Sequence, residues 1–232
     1  MTLSNLKYYI LLVLAMILWG GSWVAGRIVV FLAPPFTVGF FRFLIATLLF
    51  LPFLFFTQHR SPKHWSKRDI GIFFLIGFIG VFGYGILFLT GMRFTTAGQG
   101  AIIAGINPVT VSLFAHLLHK ERLTAQWRYC GFALSFLGIV FVVGIQSLIE
   151  FQLEYLIGNG ILICAMLAWG LYSALSKTAM QIHSSLETTT GGVIFGTLLF
   201  GMGALTESFW TLPVLMNSFF WMIILFFGVF VT

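Results

Sequence analysis

Charge is what this chain has least of. Only 8% of its 232 residues are Asp, Glu, Lys or Arg, where a soluble domain carries about a quarter. With 59% of residues hydrophobic, a packed soluble core is excluded and a bilayer is the solvent that fits. Acids are scarcest, six in all, and none stands at a clear midspan position. Proton coupling through a buried carboxylate therefore has no visible carrier. Cysteine is nearly absent. Cys130 and Cys164 each lie in an apolar run, with no CxxC and no ligand cluster, and read as small packing residues. No HExxH, GxSxG, GxGxxG or P-loop occurs. The apolar runs hold no paired nucleophile and base and no set of metal ligands. The chain reads as a non-enzyme, with no catalytic residue, cofactor or metal site expected. His116, His119, Glu121 and His183 fall near one face and read as interfacial polar residues.

What the chain has is long apolar runs. A membrane helix needs roughly 20 apolar residues. Runs that serve as spans cover about 8–32, 36–56, 70–90, 98–118, 126–146, 157–176, 188–205 and 217–232, about eight in all. None alternates with period two, which excludes a β-barrel. Backbone polar groups in lipid must pair within each segment, so the fold class is an all-α integral membrane protein. The first run is too long for a signal peptide, and Trp19-Gly20-Gly21-Ser22-Trp23 makes a poor cleavage site.

The runs also repeat. Ala15-Met16, Trp19-Gly20 and Arg27 reappear as Ala165-Met166, Trp169-Gly170 and Lys177, 150 residues on. Thr47-Leu48-Leu49-Phe50 reappears as Thr197-Leu198-Leu199-Phe200 at the same offset. Gly80-Val81-Phe82 reappears as Gly228-Val229-Phe230, two residues short of it. Duplicated helix bundles are a common architecture of secondary transporters. Five spans separate the starts of the two copies, and five is odd, so the copies are expected to be inverted. The first repeat covers 1–146 with five spans. The second covers 157–232 with three, so its last two spans are expected to be missing and the repeat truncated.

The net charge of +6 is distributed as a membrane protein distributes it. Lys7, Arg60, Lys63, Lys67, Arg68, Lys120, Arg122, Arg128 and Lys177 all fall on the side of the N-terminus. The other side holds Arg93, Glu150, Glu154 and Glu207. Cytoplasmic sides collect Lys and Arg, so the N-terminus is expected in the cytoplasm. No soluble module carries aromatic or polar base readers, so nucleic acid is not an expected partner.

Arg42 lies about six residues into the second run, roughly 9 Å along its helix at 1.5 Å per residue. Arg27 lies in the same leaflet. Together they suit a paired cation site for a substrate carboxylate. The plainer readings are snorkelling, or Arg27 capping the end of its own helix. Asn107-Pro108 sits mid-run, where proline frees the carbonyl of Ala104. With Gly98, Gly100 and Gly105 nearby it marks a bend, Pro108 and Gly105 being the hinge and Asn107 a cavity amide, with Gln99 nearer the outside. Packing alone explains such a kink equally well. Trp19, Trp23, Trp169 and Tyr172 are too deep for an interfacial belt and suit either a cavity wall or packing against adjacent glycines. Gly77, Gly80 and Gly83 allow another helix to approach closely. Ser184 and Glu187 read as a capping box.

The chain resembles the ten-helix EamA-type carriers of the drug/metabolite transporter superfamily. The likeness rests on Trp19-Gly20, Arg42-Phe43, Thr95-Thr96-Ala97 and Asn107-Pro108. It continues through Glu121, Leu123, Gln126, Gly131 and Gly138, and through Ala165-Met166, Trp169-Gly170 and the Thr197 block. It implies two inverted five-helix halves around a central cavity, and export or facilitated movement of small metabolites, often amino acids. The expected location is a bacterial inner membrane. The expected partners are a small solute, the bilayer and, where a second chain completes the cavity, a homodimer mate. Two other readings stay open: an inactive carrier fragment that needs a second chain, and a membrane scaffold without transport. The charge pattern makes one direct prediction. With cysteine introduced at Gln152 or Lys63, an impermeant thiol reagent added to intact cells labels 152 and not 63; the reverse pattern would overturn the orientation.

Overall fold

The computed structural model describes residues 3–57, 65–120 and 153–232, and positions 130, 131, 133, 134, 137, 138 and 141. Among them there is no strand. Two long helices open the chain, α1 (Leu3–Leu32) and α2 (Pro35–Thr57). Next come α3 (Lys67–Phe94) and α4 (Ala97–His119), then α5 (Leu153–Ala179) and α6 (Ser185–Thr206). These six are long and apolar enough to cross a membrane. A shorter apolar helix, α7 (Ser218–Val231), follows.

The eight expected spans are therefore not matched: the described residues hold six of full length. The run at 217–232 forms a helix of only 14 residues, which opens where expected, with Asn217 as its cap. Its side chain accepts the Phe219 N–H at 2.9 Å, after two 3₁₀ turns, Phe209–Thr211 and Pro213–Met216. At 1.5 Å per residue α7 reaches about 21 Å, against roughly 30 Å of hydrocarbon. The expected span at 126–146 falls largely outside the described residues.

Two helices carry π-helical stretches. α3 is α-helical over Lys67–Ile76 and Tyr84–Phe94, with a π-helical stretch, Gly77–Gly83, between. α7 turns π-helical over Phe226–Val231. Each stretch contains one of the two Gly-Val-Phe motifs. Close approach explains the first glycines. A Cβ on Gly77 would lie 2.5 Å from the Gly192 carbonyl of α6, and one on Gly80 would enter the Tyr172 ring of α5.

Packing divides into two buried clusters. One joins α1, α2, α3, α4, α5 and α7 around Val29, Val38, Phe88, Met92, Ile103, Leu162 and Phe220. The other joins α2, α3 and α6 around Phe43, Ala46, Val81 and Phe200. Outward faces are apolar: Leu48, Phe53, Phe55, Phe56, Leu198 and Met202 are all well exposed. That suits lipid, which leaves only helix ends and buried polar groups in need of partners.

Those partners come largely from side chains. The expected Ser184–Glu187 capping box opens α6, and Ser66–Asp69 makes a second at α3. At α2 the cap comes from a distant helix. The Glu207 carboxylate, at the end of α6, accepts the backbone N–H of Phe36 and Thr37 at 3.1 and 2.7 Å and the Thr37 hydroxyl at 2.7 Å. Mid-helix, the Thr47 and Thr197 hydroxyls bond each other at 2.9 Å. At the far end of α6, His183 meets Asp69 at 3.1 Å. α6 is thus tied to α2 and α3 at three levels. Glu207→Ala leaves three donors uncapped and should cost about 1–2 kcal/mol. The measurement is a lower melting temperature in detergent; an unchanged one would show that water caps α2 equally well.

Candidate functional site

A cavity of about 80 Å³ lies against the first cluster, which supplies Trp23, Tyr84, Phe88, Ala104, Phe227 and Val231 to its wall. That is room for several waters. Trp19, Ser22 and Trp23 of α1 line it with Arg42 of α2 and Tyr84 and Phe88 of α3. Ala104 and Asn107 of α4, Trp169 of α5, and Phe227 and Val231 of α7 complete it. Five residues singled out in the sequence, Trp19, Trp23, Arg42, Asn107 and Trp169, thus meet in one place.

The wall is a lattice of rings. Trp19 meets Trp169 edge to face at 5.7 Å, and Trp169 packs on Tyr84 at 5.0 Å. Trp23 meets Phe88 edge to face at 5.1 Å. Such contacts hold aromatic planes in fixed relation and leave apolar faces for a solute.

Two polar groups interrupt that wall. Arg42 is 6% exposed, and its guanidinium carbon lies 4.7 Å from the Phe43 ring centroid and 4.6 Å from that of Phe227. Its Nε has no hydrogen-bond partner among the described residues. Across the cavity, the Asn107 Oδ1 is buried and equally without a partner. A buried cation and a buried acceptor left unpaired in an apolar setting are costly unless a ligand or water completes them.

Other expected site residues lie elsewhere. Arg27 does not line the cavity. Its Nη1 donates to the carbonyls of Met92 and Arg93 at 2.6 and 2.8 Å, and its guanidinium stacks over Phe31 at 4.5 Å. It caps the end of α3, not of its own helix. Gln99 is buried in a separate polar cluster. The Thr95 hydroxyl lies 2.8 Å from Gln99 Oε1 and 2.7 Å from Asn159 Oδ1, and Asn159 Nδ2 donates to Gln99 Oε1 at 3.1 Å. One hydroxyl proton serves only one of those two oxygens, so the cluster works as a polar clamp between α4 and α5. Tyr172 backs Trp169 at 5.2 Å and covers Gly80.

α4 does change course at the expected place. A 3₁₀ turn, Ala104–Ile106, separates Ala97–Ile103 from Asn107–His119, with Gly105 inside the turn and Pro108 in the first turn of the second half. The carbonyl of Ala104 is not free, however: the Asn107 N–H takes it, because the 3₁₀ bond reaches one residue less far. Of the expected interfacial histidines, His119 meets the Ala174 carbonyl at 3.0 Å and His183 meets Asp69. Glu121 lies outside the described residues.

Tyr84, Phe88, Phe227 and Val231 were not singled out in the sequence. The one available signal was Tyr84, a hydroxyl at midspan. Phe227 had none beyond its place beside the repeated Gly228-Val229-Phe230.

Comparison with known proteins bears on the family and the fold. The uncharacterized transporter YyaM of Bacillus subtilis is 26% identical over 84% of this chain and 63% of its own length. The uncharacterized transporter YetK of the same organism is 29% identical over 97% of this chain and 68% of its own. The chain thus spans about two thirds of the length of the curated relatives it matches. One solved crystal structure shares the fold, with a TM-score of 0.60 at 18% identity over 93% of this chain and 74% of that one. The profile of the EamA-like transporter family matches residues 6–144, more than half of the chain. With its long apolar helices it is a multi-pass membrane protein, and it belongs to the EamA-like transporter family.

Proposed function

We propose that this protein moves a small metabolite with an anionic group, such as an amino acid, across a bacterial cytoplasmic membrane. The observation that carries the reading is Arg42, a buried guanidinium with an unpartnered Nε at an aromatic cavity. Guanidinium binds carboxylate through paired N–H groups. Trp19, Trp23, Trp169 and Tyr84 supply apolar area for the rest of the solute, and Asn107 Oδ1 offers an acceptor for a donor on it.

The mechanism we propose is alternating access between inverted halves, 1–146 and 157–232, with the N-terminus cytoplasmic. Two contacts support a two-fold relation between the halves, and the odd number of expected spans between them makes it an inverted one. Thr47 bonds Thr197 and Trp19 packs on Trp169, each pair joining residues 150 apart. Equivalent residues meet in this way when the pseudo-two-fold axis runs between them. The two π-helical stretches on the two Gly-Val-Phe motifs support it further. Such repeats rock against each other around a fixed site.

Arg42→Ala in proteoliposomes should cut uptake of labelled amino acids and carboxylates by about 100-fold, the scale of losing one partner of a buried charge pair. Arg42→Lys should restore little, because the fork geometry is lost. Full transport by Arg42→Ala would leave snorkelling as its role.

α4 is the proposed moving element, bending at Gly105 and Pro108. The 3₁₀ turn before Asn107 supports this. Pro108→Ala should slow turnover more than it weakens binding. If binding falls and turnover holds, Pro108 is a wall of the site and not a hinge.

A further inference from the structure

Arg42 belongs to α2, yet part of what holds it comes from α7. There the helix widens into the π turn Phe226–Val231. Two successive residues near its start lie against Arg42. Phe227 is fully buried, and its ring centroid stands 4.6 Å from the guanidinium carbon. Gly228 lies against the α2 backbone. A Cβ there would stand 2.9 Å from the Arg42 carbonyl oxygen and 2.7 Å from Ile45 Cγ2. Phe227 and Val231 also line the cavity.

The chemistry suits such a support. Guanidinium is weakly hydrated on its flat faces and stacks on rings, while its N–H groups lie in its plane. Ring contacts therefore occupy the faces and leave the edge for an anion. A long side chain held in this way has already lost the rotamer freedom that binding would otherwise remove.

The other π turn shows what is particular to this one. Gly77 of Gly77–Gly83 packs on α6 at Gly192, which stands 150 residues after Arg42. A π turn against a neighbouring helix occurs at both places, but a cation occurs at one. The cavity so gains a single anionic-binding pole.

We propose that the π turn Phe226–Val231 is a positioning element for anion recognition. Phe227 sets the guanidinium of Arg42, Gly228 sets its backbone, and together they create the preference for a carboxylate over a neutral solute of the same shape. The inference rests on the reading of Arg42 as the anion-binding group. Phe227 and Gly228 act through Arg42 and are positioning residues.

The test uses the full chain in nanodiscs with phenylacetate and phenylacetamide, which share an apolar body and differ in charge. Binding is read from the fluorescence of the cavity tryptophans. The unaltered chain should prefer the acid. Phe227→Leu should reduce that preference about five- to tenfold, affinity for the acid falling by that much more than affinity for the amide, while Phe227→Tyr keeps it within about twofold. Phe227→Met, near in volume, carries the same expectation should Phe227→Leu not fold. Equal weakening of both probes would make Phe227 a mere wall and overturn the proposal. A preference that survives Phe227→Leu but is lost in Arg42→Gln would overturn it too, and leave the anion reading intact. No preference in the unaltered chain would overturn both.

Discussion

Each polar group between the two faces of this protein must find its partner inside the protein, because hydrocarbon on its flanks offers none. Most of the architecture answers that constraint. Backbone groups pair along helices, and the ends, where pairing runs out, borrow from neighbours. Glu207 caps α2 from the end of α6, and Arg27 takes the last carbonyls of α3. Thr95, Gln99 and Asn159 close on one another between α4 and α5, and Thr47 closes on Thr197. Helix ends and buried hydroxyls thereby become cross-links between segments far apart in sequence.

Exceptions to such a rule carry information. Six buried side-chain atoms have no partner among the described residues, and two of them, Arg42 Nε and Asn107 Oδ1, belong to residues that line one aromatic cavity. On the proposed reading, the buried charge of Arg42 serves a solute that brings the opposite charge. The surrounding rings make the rest of the site indifferent to polarity. On the same reading selectivity rests on a few atoms, and their placement matters more than their number.

Placement depends on irregular helix geometry. The π stretches of α3 and α7 and the 3₁₀ turn of α4 all lie beside the cavity, supplying or directly preceding Tyr84, Phe227, Val231, Ala104 and Asn107. α3 spans both clusters, its first part against α6 and its last against α5, with the π stretch between. Irregular turns cost hydrogen-bond quality, and here they fall where a solute and moving helices would meet.

The sequence by itself determined the solvent, the helices and the family. Apolar runs of the required length leave no other secondary structure in lipid, so six spans fell within a few residues of their expected bounds. It also determined the capping box at Ser184, a local contact, and pointed to Trp19, Trp23, Arg42, Asn107 and Trp169 through polarity and aromaticity at unusual depth. Tertiary structure decided the rest. Arg27 and Arg42 looked alike as intramembrane cations, but a helix end lies beside one and rings beside the other. Gln99 was drawn to Asn159, 60 residues away, and out of the cavity. Phe227, one phenylalanine among 28, gained its place from the packing of α7 on α2, which no periodicity in the sequence announces. Depth in a membrane is written in one dimension and can be read along the chain. Which side of a helix meets which neighbour depends on packing between distant segments, and only the folded molecule fixes it.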